Sequence, residues 1–133
     1  LYAARDRVGK KPFHWLVHDG MFAFASELKA LHELGFAKRL RADAIAQFLA
    51  LRYVPDPITV FDGVHKLEPA HWCRIADGRI EQQRYWQLEF APDDAARTDA
   101  AARERHEQRV LELLDDAVRV RLMSEVPLAP FLS

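Results

Sequence analysis

The densest group of chemically capable side chains in this chain is a charged turn between two apolar runs. It reads Arg5-Asp6-Arg7-Val8-Gly9-Lys10-Lys11-Pro12, and its basic side chains could attract an anion. A solvated turn with local ion pairs explains the same residues, and so does burial of Arg5 and Asp6 at the end of a sheet. The residues alone leave these three interpretations open.

The one cysteine of the chain could pair with a histidine for nucleophilic chemistry. Cys73 and His71 are two residues apart in a predicted strand, so both lie on one face. The alternative is a buried thiol without a chemical role. We favour it, because free cysteine is among the most buried residue types.

Six histidines raise the question of a metal site. His14 and His18 are four residues apart, but in a strand that spacing separates them by ~13 Å, too far to share an ion. His65 and His71 fall in and near a predicted loop, and no spacing matches a structural zinc site. We therefore expect no metal ligands in this chain.

The composition is that of an ordinary globular protein. Half of the 133 residues are hydrophobic and the net charge is −1, so nothing indicates a nucleic-acid or membrane partner. No apolar run approaches the ~20 residues that span a bilayer, and no signal-peptide pattern is visible. We expect a cytoplasmic protein. Both ends interrupt predicted strands, so we also expect a piece of a longer polypeptide.

The elements that position the charged turn are predicted to be short strands. These strands cover residues 1–4, 13–17, 21–25, 71–75, 79–86 and 128–133. Asp19-Gly20 and Asp77-Gly78 separate two pairs of them, and this dipeptide is typical of two-residue hairpin turns. Apolar residues on both faces, as at 13–17, indicate a layered sandwich that covers its strands on both sides.

Three helices are predicted, at residues 28–34, about 44–52, and 100 to about 122. Ser26 is the expected N-cap of the first and Asp43 of the second, and Gly35 ends the first. Thr98 or Asp99 is the expected N-cap of the third. Apolar residues recur at helical spacing in two of these helices. In the second helix they are Ile45, Phe48 and Leu49. In the third helix we expect a buried stripe formed by Val110, Leu114, Ala117, Val118 and Leu122.

Three motifs together resemble a known enzyme family. The first is Arg5-Asp6-Arg7-x-Gly9-x-Lys11-Pro12, followed by Phe24-Ala25-Ser26-Glu27-Leu28. The second runs from Tyr53-Val54-Pro55-Asp56-Pro57 to Pro69-Ala70-His71, and the third is Arg84-Tyr85-Trp86. This order resembles the late part of the glutaminase domain of glutamine-hydrolysing asparagine synthetases. Ala70 stands where that family usually has glycine, a departure that matters because alanine tolerates positive φ poorly.

The resemblance implies a fold and a division into domains. The fold class would be α+β or α/β: a fragment of a four-layer αββα N-terminal-nucleophile glutaminase, then the first helix and strand of a pyrophosphate-loop nucleotide-binding domain. Residues 1–90 would be the C-terminal part of the glutaminase (amidotransferase type 2) domain, and residues 100–133 the start of the ATP-binding domain. Residues 91–99, rich in alanine and aspartate, would be a linker.

The resemblance also implies an activity. Enzymes of this family hydrolyse glutamine with an N-terminal cysteine, pass ammonia internally and use ATP and Mg²⁺ to adenylate aspartate. Their nucleophile is the first residue of the mature chain, so Cys73 cannot take that role and we assign no catalytic residue here. Backbone groups of Phe131, Leu132 and Ser133 would contact the ribose of ATP, with Ser133 opening a Gly-rich loop for the pyrophosphate.

By itself the chain is therefore expected to be inactive and to bind no cofactor. The parent enzyme would take glutamine, aspartate and ATP, and the resemblance allows a homodimer. An acceptor other than aspartate, such as a cell-surface sugar or a secondary metabolite, is an open alternative, and so is a non-catalytic interaction module. Ser26 and Glu27 could face the ammonia passage, although helix capping explains them equally well.

Overall fold

The computed structural model describes residues 1–92 and 98–129. They divide into two compact units, Leu1–Leu88 and a second that begins at Glu89. Within these ranges, no helix combines the length and the apolar character needed to cross a membrane. The first unit is a small α+β fold built on antiparallel sheets.

Short strands dominate the first unit, and one long helix the second. The strands are β1 (Tyr2–Ala4), β2 (His14–His18), β3 (Met21–Ala25), β4 (Val64–Lys66), β5 (His71–Ala76) and β6 (Arg79–Arg84). The helices are α1 (Leu28–His32), α2 (Ala42–Leu51) and α3 (Ala100–Arg119).

The strands form two sheets, ordered β1-β5-β6 and β3-β2-β4. β1 pairs with β5, with Ala3 opposite Cys73, and not with β2, which follows it in sequence. The sequence predicts the first three strands in succession, but only β2 and β3 are neighbours. The charged turn between β1 and β2 therefore carries the chain from one sheet to the other.

Both predicted hairpin turns are confirmed. Asp19 and Gly20 join β2 to β3 with φ of 48° and 74°, and Asp77 and Gly78 join β5 to β6 with φ of 52° and 70°. Positive φ at both central residues is the signature of the type I′ turn, whose twist matches that of the flanking strands.

The core of the first unit lies between α1 and the β3-β2-β4 sheet. Its buried residues form one cluster, Leu16, Leu31, Phe36 and Val64. Burial of a side chain of this size contributes about 1.5–3 kcal/mol. Side chains alternate along a strand, so the opposite face of the same sheet carries aromatic rings. There the ring of Phe22 lies 5.8 Å from that of Trp15 and 6.2 Å from that of Phe24.

Two of the predicted helix caps are wrong. Glu27, not Ser26, is the N-cap of α1, and Arg41, not Asp43, is the N-cap of α2. Asp43 lies one residue inside α2, where its carboxylate accepts a 2.6 Å hydrogen bond from the guanidinium of Arg41 and complements the positive end of the helix. α1 ends at His32 with Glu33 as its C-cap, two residues earlier than predicted, so Gly35, whose φ is 73°, does not follow the helix directly.

α3 ends at Arg119, earlier than predicted, and exposes its apolar stripe. Asp99 is confirmed as its N-cap, because its carboxylate accepts a 2.9 Å hydrogen bond from the N–H of Ala101. Four residues of the stripe are more than half exposed, namely Val110, Leu114, Val118 and Leu122. The prediction that they are buried is wrong here, because the second unit has no other described strand or helix to cover them. Phe48 and Leu49 of the α2 stripe are exposed as well.

Several predictions fall on residues whose structure is not described. Residues 93–97 of the predicted linker lie outside the described ranges, and so do Phe131, Leu132 and Ser133 of the predicted ATP contact. Leu128 and Ala129, where the last strand is predicted to begin, belong to no strand. The four-layer sandwich and the start of a nucleotide-binding domain stay predictions.

Candidate functional site

Arg5, directly after β1, is a buried arginine whose side chain bonds to four places in the fold. Only 9% of it is exposed. Its guanidinium donates hydrogen bonds to the main-chain oxygens of Gly9, Lys11 and Leu67 and to the carboxylate of Asp56. A buried charge is costly unless it is paired and hydrogen-bonded, and this one is both. Arg5 is therefore a buried structural residue rather than part of a solvated turn.

Asp56 lies between two cations. Its Oδ2 is 2.6 Å from Nη1 of Arg5, and its Oδ1 is 3.1 Å from Nζ of Lys66. Lys66 belongs to β4 of one sheet, whereas Arg5 follows β1 of the other. Lys66 also donates a hydrogen bond to the main-chain oxygen of Val54. The peptide bond that follows Asp56, to Pro57, is cis. The carboxylate thus ties the two sheets together at one end.

Asp6 organises the charged turn from within. Its carboxylate accepts hydrogen bonds from the main-chain N–H groups of Val8 and Lys10. These bonds, the one from Lys10 foremost, lower the pKa of the Asp6 carboxyl from its ordinary value. The Asp6 side chain is exposed, so the expectation that both Arg5 and Asp6 are buried is right only for Arg5.

Glycine is the residue type that fits position 9 of the turn. Its φ is 67°, and a Cβ there would lie 2.8 Å from Cγ of Pro69 and 2.9 Å from Nη2 of Arg5. The left-handed backbone disfavours a larger residue, and the close approach of Pro69 and Arg5 leaves no room for one. The four-residue spacing from Arg5 to Gly9 therefore has a physical cause: the glycine leaves room for the guanidinium that binds its carbonyl oxygen.

The Arg84-Tyr85-Trp86 motif meets the charged turn at the same end of the unit. The Tyr85 hydroxyl donates a hydrogen bond to the main-chain oxygen of Arg5 at 2.7 Å. The main-chain N–H of Tyr85 donates to the main-chain oxygen of Ala70 at 2.8 Å. The N–H of Ala70 in turn donates to the oxygen of Asp6 at 3.0 Å. Ala70 is buried with a φ of 58°, so an alanine here adopts the backbone that usually favours glycine.

A pocket of about 310 Å³ opens beside this network on the first unit. Its lining includes Arg7, Glu68, His71, Arg84 and Trp86. The guanidinium carbon of Arg7 lies 5.6 Å from the centre of the Trp86 ring, within cation–π range. Oε2 of Glu68 lies 3.4 Å from Nε2 of His71. The pocket thus combines an aromatic wall with charged groups of both signs.

Cys73 is buried, and His71 is turned to other partners. The cysteine is 1% exposed, and burial raises the pKa of its thiol. The ring nitrogens of His71 face the main-chain oxygen of Pro69 at 2.8 Å and the carboxylate of Glu68. The buried-thiol interpretation is confirmed, and the structure does not form the Cys/His pair.

The histidines of the described ranges assemble no ligand set. In residues 1–92 and 98–129 there is no group of three His, Cys, Asp or Glu residues that could hold a metal ion. His14 and His18 lie at opposite ends of β2. His14 is buried, and that burial, together with the charge of Lys66, lowers the pKa of its ring.

Sequence reasoning missed Asp56, Lys66 and Tyr85 as members of the Arg5 network. One signal was available for Asp56, because it is a charge held between two prolines in an otherwise apolar stretch. Of the residues proposed for an ammonia passage, Glu27 is exposed and pairs with Lys29 at 2.9 Å.

Proteins from bacteria, archaea and fungi align with the whole chain. An asparagine synthetase [glutamine-hydrolyzing] 3 of Bacillus subtilis is 33% identical, and a putative asparagine synthetase [glutamine-hydrolyzing] 2 of Methanocaldococcus jannaschii is also 33% identical. The amidase chry2 of Gibberella zeae is 36% identical. In each case the alignment covers 100% of this chain, which spans only 21%, 26% and 19% of those proteins, respectively.

The family model that matches this chain is described as a glutamine amidotransferase domain and covers residues 1–86. That stretch contains the Arg5 network, the pocket-lining Trp86 and both sheets. Together with the asparagine synthetase relatives, the match confirms the resemblance seen in the sequence motifs. Because the model covers well over half of the sequence, the chain belongs to the glutamine amidotransferase domain family.

Proposed function

We propose that this chain is part of a longer, glutamine-hydrolysing amidotransferase of the asparagine synthetase type, a cytoplasmic ligase that moves the amide nitrogen of glutamine to aspartate. One observation carries the proposal. The relatives named asparagine synthetase align over all 133 residues, beyond residue 86 where the amidotransferase model ends. Both units of this chain therefore have counterparts in those relatives.

The first unit would be the C-terminal part of a four-layer glutaminase. Its two antiparallel sheets support this assignment, as does the exposed apolar surface that further layers would cover. Val17 and Phe24, on the face of the β3-β2-β4 sheet opposite α1, are 53% and 52% exposed. Exposed apolar residues that share one face of a sheet are typical of a surface that another element covers.

The second unit would begin the nucleotide-binding domain. The exposed stripe of α3 supports this, because an amphipathic helix of 20 residues draws most of its stability from a packed apolar face. ATP, with Mg²⁺, would activate aspartate for attack by ammonia, and backbone groups of Phe131, Leu132 and Ser133 would contact the nucleotide. The described residues hold no metal-ligand group, so we assign no other residue of this chain to that chemistry.

A different acceptor is the second candidate. It is suggested by two relatives that are not named asparagine synthetases, amidase chry2 of Gibberella zeae and amidase chyE of Penicillium rubens, which are 36% and 34% identical to this chain. Under this alternative the glutamine chemistry is the same and only the molecule that receives the nitrogen differs.

Isotope transfer separates the candidates. The purified longer protein is incubated with glutamine labelled with ¹⁵N in its amide group, ATP and Mg²⁺, with or without aspartate, and the products are identified by mass spectrometry. ATP-dependent ¹⁵N-asparagine supports the first candidate. Glutamate release without asparagine supports the second. No glutamate under any condition contradicts both and leaves the non-catalytic module.

A further inference from the structure

The pocket beside the Arg5 network contains two arginines without a carboxylate partner among the described residues. Arg7 contacts the ring of Trp86, and Arg84 donates a 3.2 Å hydrogen bond to the side-chain oxygen of Gln87. Neither guanidinium forms an ion pair in the ranges that the structure describes. Both retain N–H donors for a ligand, because a guanidinium carries five.

The acidic groups of the pocket are already paired. Asp56 lies 2.6 Å from Arg5 and 3.1 Å from Lys66, so its single negative charge faces two positive ones. Glu68 lies 3.4 Å from a ring nitrogen of His71. With Arg7 and Arg84 added, positive charge exceeds negative charge around the pocket.

The shape of the pocket indicates the size and character of its ligand. Its volume of about 310 Å³ lies at the lower end of the range for small-molecule sites, about 300–1,000 Å³. Trp86 and the exposed Leu88 provide an apolar wall beside the two guanidinium groups. Such a combination suits a small molecule with a charged end and an apolar or planar body.

We propose that this pocket binds a small molecule through an oxyanion, either a carboxylate or a phosphate, held by Arg7 and Arg84 with the rest of the ligand against Trp86. Guanidinium groups bind both kinds of oxyanion through paired hydrogen bonds, so the chemistry of recognition is shared. The proposal concerns residues 1–88 and does not depend on which acceptor the longer protein uses.

Calorimetric titration of the purified protein tests this site, with inorganic phosphate in one series and succinate in another. Saturable binding of at least one anion is expected, and comparison of the two series shows which oxyanion is preferred. Replacing Arg84 by glutamine should weaken the binding about tenfold or more, because one charge-assisted donor is lost. Arg7→Gln should act in the same direction.

Two further variants make the test specific to the pocket. Arg79→Gln removes a guanidinium from the same strand as Arg84 but outside the pocket lining, and should leave the affinity unchanged. Glu68→Gln removes a negative charge from the lining and should tighten anion binding severalfold. The proposal is overturned if neither anion binds saturably, or if Arg79→Gln weakens binding as much as Arg84→Gln does.

Discussion

The guanidinium of Arg5 lies 2.6 Å from the carboxylate of Asp56, 51 residues further along the chain. This contact joins the end of β1 to the segment before the cis Asp56–Pro57 bond, and Lys66 of the other sheet shares the same carboxylate. The ion pair is largely buried, so its loss should be felt throughout the first unit.

Replacing Asp56 by asparagine should lower the free energy of unfolding of the first unit by about 2–4 kcal/mol, because two cations lose their counter-ion in a mostly buried setting. Urea unfolding followed by tryptophan fluorescence measures it, since Trp15, Trp72 and Trp86 all lie in this unit. Asp43→Asn is the matched control: it breaks a pair of the same 2.6 Å length with Arg41, but on the surface. Equal effects of the two variants would contradict the role given to Asp56.

Gly9→Ala should destabilise the unit more than Gly78→Ala. Both glycines have positive φ, so each variant carries about 1–2 kcal/mol of left-handed strain. Only at Gly9 would the new Cβ meet Pro69 and Arg5, and such overpacking costs about 1–3 kcal/mol more. The same urea titration compares the two variants. Similar midpoints would show that a Cβ at position 9 does not clash with Pro69 and Arg5.

Ala70→Gly should change stability by no more than about 1 kcal/mol. Relief of left-handed strain, about 1–2 kcal/mol, is offset by the lost burial of a methyl group and by the greater backbone entropy of glycine. Ala70→Val, in contrast, adds bulk at a buried left-handed position and should cost more than about 2 kcal/mol. If valine is tolerated as well as glycine, the positive φ of Ala70 does not hold in solution.

Stability should fall as the pH drops below 7, and His14 should contribute to the fall. Burial lowers the pKa of His14 and of His65 in the folded chain, so the unfolded chain binds protons first as the pH decreases. Each ring then lowers the free energy of unfolding by at most about 1.4 kcal/mol for each pH unit below the ordinary histidine pKa of about 6.5. His14→Gln should flatten the dependence of unfolding free energy on pH between 7 and about 5.5. An unchanged slope in His14→Gln would exclude His14 as the cause.

The features that sequence alone predicted correctly are local ones. The two Asp-Gly hairpins follow from the backbone preference of two adjacent residues, and Asp99 marks the start of α3 for a similarly local reason. The positive φ of Ala70 could be expected only through the family resemblance, because alanine gives no such signal.

What sequence alone did not predict depends on distant partners. Nothing near Arg5 indicates that its counter-ion is Asp56 or that the Tyr85 hydroxyl donates to its carbonyl oxygen, because these partners are 51 and 80 residues away in the sequence and meet Arg5 only in the folded unit. The pairing of β1 with β5 is non-local in the same way. The caps at Ser26 and Asp43 were missed by one and two residues, since several polar residues compete at each helix start.

The most direct test of the central claim is glutamate release from glutamine, measured side by side for the longer protein and for the 133-residue chain. We expect release by the longer protein and none by the 133-residue chain, whose one cysteine, Cys73, is buried and has a raised pKa. A measurable glutaminase rate in the isolated chain, or none in the longer protein, would contradict it.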